Sequence, residues 1–152
     1  MNDIKPVLLE AFEKECKGFS NALNLYQRLA TGTAIYPRQG TPLGLIYVAL
    51  KGAGEAGEFA EHVGKAMRDD GLIDHLESHK SLEDGEHHTF GGNALCDDRR
   101  ALLIKEIGDQ LWYLAAKCNE LDITLSEAAL INVKKLRDRQ TRGTLRGSGD
   151  NR

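Results

Sequence analysis

Two pairs of carboxylates stand where a helical chain should present apolar side chains. Glu55 and Glu58 lie in Gly52-Ala53-Gly54-Glu55-Ala56-Gly57-Glu58, and Glu106 and Asp109 in Lys105-Glu106-Ile107-Gly108-Asp109. Residues three apart project from one side of a helix. At 100° per residue, Glu106 falls in the middle of a stripe made by Leu102, Leu103 and Tyr113. Glu58 borders a stripe of Leu43, Ile46, Tyr47 and Leu50, and Glu61 continues that line one turn on. An isolated buried carboxylate is costly and tends to take up a proton. A fold that turns both pairs inward must therefore neutralise them. Gly52, Gly54 and Gly57 add a cost of ~1 kcal/mol each relative to alanine in a helix. They suit either close helix packing or room beside the acids.

The remaining chain reads as helices. Val7, Leu8, Phe12, Phe19, Leu23, Tyr26 and Leu29 recur at three- and four-residue steps over 4–31, with Gly18 as a break point. Thr41 offers an N-cap with Pro42 at the first helical position, for a helix reaching about Arg68. Asp97 or Asp98 can cap a helix over about 99–120. Thr124 and Glu127 form a capping box for a last helix from 125 to about 140. No strand-like alternation bounded by hairpin turns appears. The expectation is an all-α fold, an antiparallel bundle of four or five helices in one domain spanning 1–152. A 28% charged and 41% hydrophobic composition fits a globular rather than a disordered chain.

Charge is uneven. Residues 69–98 carry nine acids against Lys80, and read as an acidic surface excursion, with a short helix near 72–80. Residues 134–152 carry seven Lys/Arg against Asp138 and Asp150, ending in a basic, glycine-rich tail at about 141–152. A net charge of −3 argues against general binding to nucleic-acid polymers, and a short basic end suits a small anion or a neighbouring subunit. No apolar run reaches the ~18–20 residues that span a bilayer, so no membrane partner is expected. Cys16, Cys96 and Cys118 form neither a disulfide framework nor a zinc ribbon. With no signal-peptide pattern, a reduced cytoplasmic setting is the expectation.

Two inward E-x-x-E/D pairs on neighbouring helices can share cations. Four carboxylates (Glu55, Glu58, Glu106 and Asp109), with no histidine or cysteine at matching spacing, favour a hard ion, Mg²⁺ or Mn²⁺, over zinc. On the last helix, Asn132 and Arg139 share a stripe with Leu125, Ala129 and Leu136, and Lys135 lies on its edge. Arg142 follows at the start of the tail. Cations directed at a metal–carboxylate cluster suggest a polyanion between them, and phosphates fit.

These residues resemble a known family. Tyr26-Gln27 through Thr33, Tyr36-Pro37, Gly54-Glu55-Ala56-Gly57-Glu58, Lys105-Glu106-Ile107-Gly108-Asp109 with Leu111-Trp112-Tyr113-Leu114, Asn132-x-x-Lys135-Leu136 and Arg142-Gly143-Thr144 with Gly147-Ser148-Gly149-Asp150 are similar in order and combination to the MazG-like all-α nucleoside triphosphate pyrophosphohydrolases. The resemblance covers most of the chain except 69–98. It implies an oligomeric helical bundle, a homodimer or homotetramer, that binds Mg²⁺ and splits an NTP or dNTP into the monophosphate and pyrophosphate. It carries the metal-ligand role to Glu55, Glu58, Glu106 and Asp109, and the phosphate side to Asn132 and Lys135. Many members begin the first motif with two adjacent glutamates, where this chain has Gly54. Glu55, farther from the apolar stripe than Glu58, is the candidate general base. Tyr26, Gln27 and Trp112 are candidate base-side groups.

Three other readings compete. The acids could be retained in a non-catalytic helical oligomer that binds nucleotide or protein. A di-iron carboxylate bundle would need Glu-x-x-His, which neither pair offers. A transition-metal site among His75, His79, His87 and His88 would lack a cysteine or third ligand in register.

Overall fold

A computed structural model describes residues 6–18, 21–72 and 95–144. Those residues form five helices and no strand: α1 (Pro6–Lys17), α2 (Ala22–Thr31), α3 (Pro42–Asp69), α4 (Asp97–Glu120) and α5 (Leu125–Thr141). The all-α expectation holds. The apolar period over 4–31 divides at Gly18, as expected. Asn21 opens α2 by accepting from Asn24 N–H at 2.9 Å, while its Nδ2 donates back to Gly18 O at 2.8 Å. The body of the acidic excursion, with its four histidines, lies outside the described residues, as does the tail beyond Thr144.

The chain resolves into two compact units, residues 1–46 with 114–152, and residues 47–113. In the first, buried polar side chains organise the helix ends. The Gln27 amide donates to Ile123 O at 3.0 Å and accepts from Leu125 N–H at 2.6 Å. Asn24 accepts from Ser126 N–H at 3.3 Å. These two residues of α2 thus satisfy donors at the start of α5 that no helical carbonyl can reach. The expected capping box is present. Thr124 Oγ1 accepts from Glu127 N–H at 3.1 Å, and the Glu127 carboxylate accepts from Thr124 N–H at 2.7 Å. Lys134 Nζ pairs with Glu13 at 2.7 Å, tying α5 to α1. Gln27, named above as a candidate base-side group, is buried here and committed to backbone.

The loop before α3 is held from α4. Tyr36 is buried and its hydroxyl donates to Glu120 Oε1 at 2.5 Å, while Gly40 N–H donates to Oε2 at 2.9 Å. Gly40 adopts φ +70°, where a side chain is strained. A Cβ at Gly44 would lie 2.5 Å from Arg38 O and 2.7 Å from Glu120 Oε2, so only glycine fits there. The motif residue Tyr36 and the glycine at 44 both belong to this anchor.

In the second unit, α3 and α4 run antiparallel: His62 faces Glu106, and Asp70 faces Arg99. Val48, Gly52 and Ala66 are buried on α3, and Leu103 and Glu106 on α4. The expected α3 stripe behaves differently. Leu43, Ile46, Tyr47 and Leu50 are all exposed, Leu50 by 70%. The buried face of α3 is built from smaller side chains, offset from that stripe.

Replacing Gln27 with Leu is expected to cost about 2 kcal/mol in urea denaturation, because the buried Leu125 N–H and the part-buried Ile123 O lose their partner. Glu127 is held below its ordinary pKa of 4.5 by the hydrogen bonds from Thr124. Its contribution is thus present above that value and lost as pH falls through the lowered one. The stability gap between wild type and Glu127→Ala should be largest near neutrality and close as pH falls through the lowered pKa of Glu127.

Candidate metal centre

The acids sit on the α3–α4 seam because three-residue spacing puts each pair on one side of its helix. Glu55, Glu58 and Glu106 each bring a carboxylate oxygen to within 4.8 Å of the others. Two ligands on opposite sides of Mg²⁺ stand roughly 4.2 Å apart at ~2.1 Å bonds, so these oxygens lie near ligand separation. Glu106 is buried, and among the described residues its Oε2 has no hydrogen-bond partner. A buried acceptor left unmatched costs on the order of 1–3 kcal/mol, more when charged. The orphaned oxygen, two further carboxylates beside it and an all-oxygen donor set fit a hard divalent cation.

Asp109 is exposed and stands outside that trio, but it lines an open cavity of about 400 Å³ with Glu55, Trp112 and Tyr113. Trp112 meets Tyr113 edge to face, with ring centroids 4.9 Å apart. Burial raises the pKa of Glu55, and the negative charges of Glu58, Asp109 and Glu106 raise it further, against the opposing pull of Lys51. Burial likewise raises Tyr113, with Glu55, Tyr47 and Asp109 adding to it. In both groups the neighbouring negative charges add to the effect of burial.

The burial order of the first pair is the reverse of the one expected. Glu55 is half-buried, while Glu58 and Glu61 are exposed, and Glu61 pairs with Lys65 at 2.5 Å. The rotation of α3 that leaves Leu43, Ile46, Tyr47 and Leu50 exposed explains both differences. A Cβ at Gly54, Gly57 or Gly108 would meet nothing within 4 Å among the described residues, so packing between those residues does not require these glycines. They leave open space beside the carboxylates.

The expected cationic residues belong to the other unit. Asn132 and Lys135 are exposed on α5, and Arg139 is buried. Arg142 caps α5, and its guanidinium holds Asp138 at 2.7 Å. One polar residue at the centre was not anticipated. His62 Nε2 lies 3.7 Å from Glu106 Oε1. Its position one helical turn beyond Glu58 was the available signal, hidden by the charged surroundings Glu61-His62 and Lys65.

The sequence model of the MazG nucleotide pyrophosphohydrolase domain matches residues 48–143, which include all four carboxylates. Gene 37 protein of Mycobacterium phage L5 is 38% identical over 134 residues, covering 86% of this chain and 98% of that protein. No solved structure matches. No helix among the described residues is long and apolar enough to cross a membrane.

With a chelator present, Glu106→Gln should be at least as stable as wild type, since it removes a buried charge and keeps its shape. Thermal denaturation checks this. Addition of Mn²⁺ should raise the melting temperature of wild type and leave that of the variant almost unchanged.

Proposed function

The chain belongs to the MazG nucleotide pyrophosphohydrolase family, and from that premise we propose that it hydrolyses a nucleoside or deoxynucleoside triphosphate to the monophosphate and pyrophosphate. The observation that carries this reading is Glu106 Oε2, buried without a partner beside Glu55 and Glu58. Glu55, Glu58, Glu106 and Asp109 would hold Mg²⁺, or Mn²⁺ in its place. Bound there, the ion would neutralise charge on the phosphate oxygens and acidify a water molecule.

The residues of the chain do the rest. Glu55, whose affinity for a proton is raised by burial and by its acidic neighbours, accepts the proton of the attacking water. Family resemblance directs that water to the α-phosphorus. The new P–O bond forms there, the bond to the α–β bridging oxygen breaks, and pyrophosphate leaves with that oxygen. Asn132, Lys135, Arg139 and Arg142 are assigned to the phosphates, from the same subunit or a neighbouring one. Trp112, on the cavity that Glu55 and Asp109 line, offers an aromatic surface for the base. The exposed apolar residues Leu43, Ile46, Tyr47 and Leu50 on α3, and Ile104 and Ile107 on α4, support a homodimer or homotetramer.

A panel of NTPs and dNTPs with Mg²⁺, assayed separately for pyrophosphate and orthophosphate, tests the reading. Wild type should release pyrophosphate from at least one of them. Glu106→Gln should lower kcat on the order of a hundredfold, a loss of roughly 3 kcal/mol at the transition state. Orthophosphate as the first product would move the attack off the α-phosphorus. Silence across the whole panel would favour a non-catalytic nucleotide-binding oligomer.

A further inference from the structure

A second set of side chains runs along the α3–α4 seam, away from the carboxylates. Arg99, in the first turn of α4, grips Asp70 with two prongs: Nε to Oδ2 at 2.8 Å and Nη2 to Oδ1 at 3.2 Å. Both carboxylate oxygens of Asp70 are engaged, so the guanidinium plane is fixed. The side chains of Arg99 and Asp70 are 15% and 18% exposed, sheltered enough for the pair to hold its geometry. The remaining prong, Nη1, lies 3.3 Å from His62 Nδ1.

That contact decides the histidine's tautomer. A guanidinium has only donors and keeps its charge in proteins. His62 Nδ1 must therefore accept, which places the ring proton of the neutral imidazole on Nε2. Nε2 is the atom that faces Glu106 Oε1, at 3.7 Å. The ring thus turns its N–H toward one oxygen of the buried carboxylate, and the other oxygen, Oε2, is the one without a partner.

We propose that His62 is a positioning residue for Glu106: set in its Nε2–H tautomer by Arg99, it orients the carboxylate so that Oε2 is presented to the divalent ion. The inference rests on the metal-site reading above. Donors behind a ligand typically account for about 10- to 100-fold in metal affinity. The ion itself need touch neither His62 nor Arg99.

The test is Mn²⁺ binding to the full chain without nucleotide, measured by calorimetry and by the paramagnetic resonance signal of free Mn²⁺. Two polar variants separate a positioning role from a packing role. His62→Asn keeps an acceptor near the Nδ1 position for Arg99 but has no donor at the Nε2 position. His62→Gln places an amide N–H where Nε2 stood. His62→Asn should raise the Kd for Mn²⁺ about tenfold or more, and His62→Gln should restore it to within about threefold of wild type. Both should melt close to wild type in chelator. Equal weakening by the two variants, together with lowered melting temperatures, would make His62 a packing residue and overturn the proposal. Wild-type affinity in His62→Asn, with binding lost in Glu106→Gln, would overturn it while leaving the metal site intact. No Mn²⁺ uptake by wild type would remove the metal reading and this inference with it.

Discussion

A buried carboxylate with an unmatched oxygen governs the second unit. Glu106 is enclosed by the α3–α4 seam; His62 Nε2 stands 3.7 Å from one of its oxygens, and among the described residues the other has no hydrogen-bond partner. Isolated, such a group is costly as an anion. Its neighbours aggravate the cost, because Glu55 and Glu58 bring oxygens within 4.8 Å of it and of each other. Residues that packed for stability alone would replace this trio with apolar groups of similar volume, at little loss or a gain. The seam is organised instead around a deficit of positive charge.

The first unit shows what the same chain does with polar groups that are purely architectural. Asn24, Gln27 and Ser126 are as deeply buried as Glu106, yet each is matched by backbone. Gln27 both donates and accepts, Asn24 takes the Ser126 N–H, and Ser126 Oγ donates to Cys16 O at 3.3 Å. Matched buried polar groups fix register and helix entry at modest net cost. The contrast separates structural polarity from polarity awaiting a ligand. Gln27 belongs to the matched set, committed to Ile123 O and Leu125 N–H.

Helix ends were legible in the sequence because their signals are local. The Thr124–Glu127 box, the Thr41-Pro42 start and the break at Gly18 each depend on a few neighbouring residues. The grouping of Glu55, Glu58 and Glu106 was legible too, since three-residue spacing on two adjacent helices leaves little choice of face. The orientation of α3 was not. Counting large apolar side chains selected Leu43, Ile46, Tyr47 and Leu50, whereas the helix buries Val48, Gly52 and Ala66. Helices that approach closely do so through small residues, which a hydrophobicity count ranks low. That one rotation inverted the order of Glu55 and Glu58. His62 was missed for a related reason: a lone histidine among charges has no periodic signature, and its role depends on Arg99, 37 residues away.

The glycines beside the acids bear on what the outer surface of the two helices is for. Gly54, Gly57 and Gly108 each leave a Cβ position with nothing within 4 Å. Glycine inside a helix costs about 1 kcal/mol relative to alanine, and no close packing among the described residues offsets it. Gly44 is the opposite case, since Arg38 O and Glu120 leave no room for a side chain there. Ile104, Ile107 and Leu111 are exposed on the same helix as Gly108, as Leu50 is on that of Gly54 and Gly57. Open glycines alternating with exposed large apolar residues, next to unneutralised carboxylates, make a surface costly for an isolated chain in water. On the proposed function, a bound triphosphate with its cation would relieve the charge, and a second copy of the chain against the leucines and isoleucines would relieve the apolar exposure. The surface is thus better suited to an assembled, ligand-bearing protein than to a solitary chain.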